Sequence, residues 1–515
     1  MWNLVTTSDA IVIGAGAAGC VVARMLLDAD RRVLLCEAGP GLPVPAGLRT
    51  VDALDALGQS SWFWPGVSAM VAGAGAGAKV PYRIGRGVGG GTAINSLVMT
   101  IGDRADYDQW EHLRGVAGWN WANLAPWFGH VLDLLPTSVV APGPLAVAVG
   151  RAVANAGIAM AGSSVEIDQQ GLVAASLAVA DDHRVSAADA FLGDPPGLSD
   201  SSRLGDSSRL GDSSGLGDLS GLDLRPHSTV RRVLFDRSRA VGVELVDGSR
   251  LWAGRVVVSA GALHTPALLM RSGVIPVGGQ RPVVDHPSFT FTVALRPEAR
   301  VGVDRAVAPI STLLRWSSQQ WPQPQVASEG PGRVAGDVAD LQAVVMDHVG
   351  SGPGQRRYGA VVVALTGVES VGSLRMRSSG VTFDPGWLNR ETDRRRFVAG
   401  VRLVARLLAD DAMAAVVESV FVDDDGTTLE TFSAWSDDEI ARWLLNHPGP
   451  LAHPTSSYSV GGVGGAPPVL HGDGAVRGVD RLHVIDAAAL PHAPAGNLQL
   501  PVMAVAAKLA NDLVS

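Results

Sequence analysis

Residues 9–39 read DAIVIGAGAAGCVVARMLLDADRRVLLCEAG, and no other stretch limits the fold so tightly. An apolar run over Ala10–Ile13 meets a glycine-rich turn, then helical spacing over Ala17–Leu27, then a second apolar run closed by Glu37. Apolar runs bounded by glycines at this spacing predict a parallel βαβ unit. Gly14, Gly16 and Gly19 stand where such a unit needs a tight turn, a close backbone approach to a pyrophosphate and close helix–sheet packing. Ala17 opens the helix, whose N-terminus favours an anion. Glu37, 23 residues after Gly14, is placed to accept hydrogen bonds from both ribose hydroxyls of an adenosine and to repel a 2′-phosphate. Strand, helix and terminal acid together predict a dinucleotide site. The motif by itself does not separate NAD from FAD.

A chain of 515 residues exceeds one simple core, so two associated domains are expected. Formal net charge is −9, and only Lys79 and Lys508 among the 41 basic residues are lysines. With no long basic run, nucleic acid is not an expected partner. Cys20 and Cys36 give no disulfide framework and no zinc spacing, and they read as buried small apolar residues. No metal is expected. The candidate apolar stretch around 132–160 is broken by Pro136, Pro142, Pro144 and Arg151, so no transmembrane segment is expected. The first strand lies so near the N-terminus that removal of a leader would destroy it. The expected location is cytoplasmic, at most peripheral at the inner face of the membrane.

Further along, Gly85–Asn95 is a second glycine-rich segment, followed by helical periodicity in DRADYDQWEHLRG. Residues 199–222 hold a hexapeptide of SSRLGD type in about three copies, which reads as a solvated loop. STVRRVLFD and AVGVELVDGSRLWAGRVVVSAG read as strands, with Asp247-Gly248 as a hairpin turn. The 281–435 stretch suggests an antiparallel sheet with flanking helices. Ser436 and Glu439 form a capping box ahead of a helix that ends near His447, and PVMAVAAKLANDLV reads as a closing helix.

Three segments carry a family resemblance. GRGVGGGTAIN (Gly85–Asn95) and GALHTPALLMRSGV (Gly261–Val274) resemble the two signatures of the glucose–methanol–choline (GMC) oxidoreductases. LHVIDAAALPHAPAGNLQLPVMAVAAKLA resembles their closing flavin-contacting segment. RVSAADAFL, STVRRVLFD and VVDHP fall between them in family order. The resemblance implies an α/β FAD-binding Rossmann-like domain with an α+β substrate domain built on an antiparallel sheet. The FAD-binding domain would comprise 1–148, 184–280 and 448–515, and the substrate domain 149–183 and 281–447. Arg86 and Gly89, Gly90 and Thr92 belong to the first signature. Gly89–Thr92 would offer unhindered backbone N–H groups to a phosphate or flavin edge. Asn95 and Ser96 would lie beside the isoalloxazine, and Val230 would hold the adenine through its backbone. Asp486 and Ala487 would touch the pyrophosphate–ribityl region, and Gln499 and Pro501 would lie towards the pyrimidine edge. Where some relatives carry a flavin-linked histidine this chain has Ile94, which implies noncovalent FAD.

GMC enzymes oxidise an alcohol by taking its hydroxyl proton while hydride passes from carbon to flavin, and histidine is the natural base. HPTSSYSVG aligns with the family's base-bearing loop and assigns that role to His453, with Asn497 at the second active-site position. His492 is the rival base, and His447 reads as a helix-end residue. Ser456-Ser457-Tyr458 replace the usual Gly-Thr-Cys, and Met99, Ile101 and Gln499 also depart from the family pattern. The composition resembles the actinobacterial branch associated with the redox cofactor mycofactocin. Such a protein would oxidise reduced mycofactocin and pass electrons towards the respiratory chain. The alternatives are a choline- or aliphatic-alcohol-type dehydrogenase or oxidase, and a non-redox flavin lyase or catalytically decayed flavoprotein. An NAD-linked Rossmann dehydrogenase leaves the closing segment unexplained.

Overall fold

A computed structural model describes residues 8–52, 55–71, 78–193, 219–276, 278–302, 307–319, 338–377 and 380–514. The predicted βαβ unit is present: strand Ser8–Ile13, helix Ala17–Asp28 and strand Val33–Cys36. Both strands are apolar nearly throughout because sheet and helices cover both faces. They lie in a seven-stranded sheet in the order Leu222–Arg225, Val33–Cys36, Ser8–Ile13, Arg250–Val258, Arg239–Leu245, Val230–Asp236, with Leu482–Val484 pairing Arg250–Val258. The first four strands and Leu482–Val484 run parallel, and the remaining pairs are antiparallel. The Asp247-Gly248 turn joins the last hairpin, with Gly248 at φ +90°.

Small residues set how closely the helices approach. A Cβ on Gly19 would fall 1.8 Å from the Gly14 carbonyl oxygen, so only glycine lets the crossover helix sit on its own turn. The closing helix, Gln499–Val514, packs its Ala- and Val-rich face against the crossover helix and helix Trp121–Leu134. Cys20 and Cys36 are buried and unpaired in this layer, and burial pushes the Cys36 thiol up to about 12.

The second large sheet has eight strands, in the order Val417–Phe421, Pro287–Leu295, Tyr358–Leu365, Leu341–Met346, Ile310–Trp316, Gly171–Ala174, Met160–Ser163, with Gly449–Pro450 added beside Pro287–Leu295. Its central strands are antiparallel, as expected, while the Met160–Ser163 edge is parallel. Alternation separates its faces. Phe289, Val363, Ala343 and Leu314 pack into one core with helices Pro144–Asn155 and Glu391–Leu408. Val362, Val344, Leu313 and Val173 face the other core, shared with the first sheet.

Helix Asp437–Asn446 carries the capping box of Ser436 and Glu439 and ends at His447, whose Nδ1 lies 2.9 Å from the Trp443 carbonyl. The chain then enters the two-residue strand Gly449–Pro450 and the His453 loop. Residues 199–218 of the repeat lie outside the described residues. Leu222, at its end, is not loop but the start of the edge strand beside Val33–Cys36, held by in-register pairing. Among the described residues no helix is long and apolar enough to cross a membrane, and no cluster of His, Cys, Asp or Glu could hold a metal ion.

Candidate active site

The two glycine-rich segments form one cradle. Gly89 N–H donates to the Ala15 carbonyl at 2.7 Å, and Gly14 N–H to Cys36 at 2.7 Å. A Cβ on Gly90 would stand 2.7 Å from Gly16 Cα, and one on Gly85 2.5 Å from the Gly90 carbonyl carbon. Glycine is therefore required for these turns to touch. Gly14, Gly89 and Gly90 also hold positive φ, at 101°, 92° and 54°. Gly16 caps the crossover helix without any side-chain bond, so the first-turn N–H groups, beginning at Ala17, have no intrahelical partner.

Several sequence-based assignments change here. Gly89, Gly90 and Thr92 do not offer free N–H groups: they donate to Ala15, Gly87 and Gly89 respectively. The turn folds on itself as a short 3-10 helix, leaving Gly91 facing open space. The Thr92 hydroxyl donates to Gly89 O at 2.6 Å and accepts from Ala187 N–H at 2.8 Å, so it staples the first signature to helix Ala187–Leu192. Glu37 accepts from the N–H groups of Ala15, Gly39 and Gly87 at 2.8–3.0 Å. Two of these fall on Oε1 and one on Oε2, so one acceptor position remains on Oε2, enough for one ribose hydroxyl and not both.

Asp486 is similarly occupied, accepting from Gly261 N–H, the Thr265 hydroxyl and Ala488 N–H. Burial pushes its carboxyl up to about 6. It clamps the second signature to the closing segment, and the neighbouring Ala487 carbonyl accepts from Ser456 N–H. Val230 opens its strand opposite Leu245, close to where Ser228 N–H meets the Glu37 carbonyl. The Arg86 guanidinium lies 5.4 Å over Trp64 and donates to Ala38 O. Ser96 is exposed, and Pro501 is buried in the first turn of the closing helix.

Asn95 Nδ2 donates to Gln499 Oε1 at 2.6 Å, joining residues 404 apart in the sequence. Arg184, whose role the sequence did not show, donates to the carbonyls of Thr92 and Asn95 and to Asn95 Oδ1. Its Nε and Nη2, with Gln499 Nε2 and Arg86 Nε, are shielded from solvent and have no partner. Buried polar atoms left this way are costly unless a ligand meets them. A glycine cradle, an uncapped helix N-terminus and these orphaned donors fit an FAD with its pyrophosphate at the helix and its flavin towards Asn95 and Gln499.

His453 enters the site between two strained residues: Ala452 and Ser456 hold φ of 62° and 63°. Left-handed backbone at Ser456 is the conformation glycine favours, so the serine in place of the family's glycine leaves the turn formed. Val284 and Thr455 bond in both directions, and Pro287 pairs with Pro450, which fixes this loop beside the VVDHP segment. Asp285 is the anchor. Its Oδ1 accepts from His453 N–H at 2.8 Å, and its Oδ2 accepts from the Tyr82 hydroxyl and Trp387 Nε1. Burial pushes its carboxyl up to about 7. The His453 ring lies edge-on to His286, with the two Nδ1 atoms 3.2 Å apart. Desolvation lowers His453 to about 4, so its imidazole is neutral across the physiological range.

Asn497 approaches from the closing segment. Its N–H donates to the Thr100 hydroxyl at 2.7 Å, its Oδ1 accepts from Gln342 Nε2 at 3.1 Å, and its Nδ2 donates to Val98 O at 3.2 Å. One Nδ2 hydrogen remains for a substrate oxygen. Gln342 lies in a cross-strand row with Ser288, Ala364 and Arg315. Residues in such a row share a face, so Gln342 and Ser288, two strands apart, are separated by ~10 Å. His286, which pairs with His453, lies just ahead of the strand that carries Ser288. Arg315, in the same row, donates to Asp103 and to the Ala495 carbonyl.

The remaining candidates stand elsewhere. His492 turns Nδ1 to its neighbour's carbonyl at Ala493, 3.1 Å away. Tyr458 is buried under the Arg281 guanidinium, 5.2 Å from its ring. The VVDHP motif was visible in the sequence without a role. Gln342 gave no signal, because its partner lies 155 residues away.

Comparison with known proteins bears on the family and the fold. Residues 8–202 and 217–287 match an N-terminal sequence profile described as GMC oxidoreductase, and residues 368–506 match the C-terminal profile of the same description. Human mitochondrial choline dehydrogenase is 28% identical, over 97% of this chain and 89% of its own length. The 5-(hydroxymethyl)furfural oxidase of a Methylovorus species is 26% identical over 99% of both. Pyridoxine 4-oxidase from Mesorbium loti superimposes with a TM-score of 0.78 at 24% identity, covering 98% of each chain. Formate oxidase of Aspergillus oryzae, studied for FAD modification, gives 0.82 at 19%, covering 99% of this chain and 98% of its own. With profiles spanning most of the sequence and the glycine cradle, clamp and paired loops all present, the chain belongs to the GMC oxidoreductase family of FAD-dependent enzymes.

Proposed function

We propose that the protein oxidises the CH–OH group of a small alcohol, with His453 as base and Asn497 as the donor that orients the substrate oxygen. The observation that carries this reading is that both polar groups are held by buried partners, the His453 backbone by Asp285 and the Asn497 amide by Gln342, with one Asn497 Nδ2 hydrogen left over. Bound FAD supplies the acceptor for the hydride that leaves the substrate carbon. The chain does the rest. Gly14, Gly16, Gly19 and the Ala17 helix end receive the pyrophosphate. Glu37 and the Val230 backbone hold the adenosine, while Asn95, Gln499 and Arg184 bound the flavin. Ile94 leaves no histidine for a covalent link at that position, which favours noncovalent FAD. Asn497 Nδ2 donates to the substrate oxygen, and the hydroxyl proton moves to His453 as the carbon–hydrogen bond breaks.

The domain division of 1–148, 184–280 and 448–515 for FAD against 149–183 and 281–447 for substrate belongs to this reading. For the substrate we propose reduced mycofactocin, with electrons passed on towards the respiratory chain, because Met99, Ile101 and Ser456–Tyr458 depart from the pattern of the common alcohol-oxidising relatives. A choline- or aliphatic-alcohol-type reaction is the second reading, favoured by the similarity to choline dehydrogenase.

Anaerobic mixing of FAD-loaded protein with reduced mycofactocin, choline and 5-(hydroxymethyl)furfural tests both readings by flavin bleaching. His453→Ala is expected to keep FAD and to lose ~10²–10⁴-fold in reduction rate with the active alcohol. An unchanged rate removes His453 as base, and bleaching by choline alone removes the mycofactocin assignment.

A further inference from the structure

We infer that His286 is a positioning residue that sets the tautomer of His453, accepting a hydrogen bond from His453 Nδ1 so that His453 Nε2 is left bare as the basic atom. This rests on the reading of His453 as base. Two imidazole nitrogens 3.2 Å apart with rings at 83° can bond only if one carries a proton and the other a lone pair. Were His453 Nδ1 the acceptor, its own proton would sit on Nε2, and neither nitrogen could take a second proton without breaking the contact. With His453 Nδ1 as donor, Nε2 is free.

Asp285 does not do this orienting. Its oxygens meet the Tyr82 hydroxyl, the Trp387 indole and the His453 backbone N–H. The carboxylate holds the loop, and the neighbouring imidazole orients the ring. His286 is fully buried and His453 half-buried, which shields the contact in part from competing water. The arrangement also answers a chemical difficulty. Desolvation makes His453 a weak base, at about 4. Once a proton arrives at Nε2, the Nδ1–H···Nδ1 bond becomes charge-assisted and strengthens. His286 thus supports the base mainly in its protonated form.

The test uses FAD-loaded protein labelled with [15N]histidine, with the His453 signals assigned by their loss in His453→Gln. Expected is a protonated Nδ1 and a bare Nε2 at neutral pH. A protonated Nε2 on wild-type His453 overturns the inference. Two variants add kinetics, read by anaerobic flavin reduction. His286→Leu removes the acceptor and is expected to slow reduction by ~10–100-fold and to mix the tautomers of His453. His286→Asn places an amide oxygen near the former Nδ1 position and is expected to restore most of the rate and the single tautomer. Leu and Asn variants that both match wild type in tautomer and rate overturn the inference. If His453→Ala abolishes reduction while wild-type His453 carries its proton on Nε2, only the tautomer assignment fails. If His453→Ala reduces normally, the base reading itself falls.

Discussion

Gln342 shows how a residue with no chemistry of its own can govern one that has it. Its Nε2 holds Asn497 Oδ1, and this decides which end of the Asn497 amide faces Val98 and the substrate oxygen. Gln342→Leu should keep FAD and fold, since a similar volume fills the site, but release that amide. Losing a buried hydrogen bond of this kind costs ~1–3 kcal/mol, so kcat/KM is expected to fall ~5–100-fold, with the flavin spectrum unchanged. A steady-state comparison with the active alcohol decides it. Residues of this sort are also what the sequence concealed. His453 and Asn497 stand inside aligned motifs, whereas Gln342 and Arg184 matter through partners on distant strands. Thr92, Glu37 and Asp486 stood at motif positions too, yet motif position alone did not disclose that backbone groups of this chain already use their oxygens.

Among the elements, the two glycine turns behave as one unit. Gly90→Ala would drive a methyl to within 2.7 Å of Gly16 Cα, against backbone that has no flexible side chain to yield. The expected product is folded but colourless protein, with FAD affinity lowered at least ~100-fold, measurable by flavin fluorescence on titration. Retained yellow colour after gel filtration would contradict the close contact. The βαβ unit, the 247–248 hairpin, the capped helix 437–446 and the closing helix were all legible, because each is specified by local periodicity and its stop signals. The short strand Gly449–Pro450 and the edge strand Leu222–Arg225 were not. Each exists only because a neighbouring strand presents its backbone, which no local pattern announces.

For the whole molecule, the packing of the second sheet against the segments beside it is polar as well as apolar. Arg315 and Asp103 form an ion pair at 2.9 Å with both side chains almost fully buried. Arg315→Met would leave Asp103 buried without its counter-charge, a loss of ~3–5 kcal/mol, and Arg315→Met/Asp103→Asn should recover part of it. Urea denaturation of the three proteins measures both steps. Acid should act globally too. His264, His348, His453 and His483 are each lowered from 6.5 to about 4 by burial. Below about pH 6.5 the unfolded chain binds protons there that the native chain refuses, so stability falls as pH drops towards 4. Asp285 and Asp486, raised to about 7 and about 6, work in the opposite sense: the stability they add at low pH is lost as pH rises through those values. Four histidines against two carboxyls leave a net rise with pH that continues through about pH 6.5 and levels off above about pH 7.5. Melting temperatures recorded from pH 4.5 to 8 should trace that rise, and a flat profile would refute it.

The closing segment bears on how the protein is made. Residues 482–484 complete the first sheet, Asn497 reaches the second, and the helix from Gln499 covers the crossover helix that begins at Ala17. On the ribosome these residues emerge only after some 480 others, at ~5–20 residues per second. For roughly half a minute to a minute and a half the nascent chain has no closing helix over its pyrophosphate turn, and once Val256–Val258 emerge they wait for their parallel partner. Flavin loading is thereby deferred to the end of translation, and until then the open side of Val256–Val258 is the place where a chaperone has most to shield.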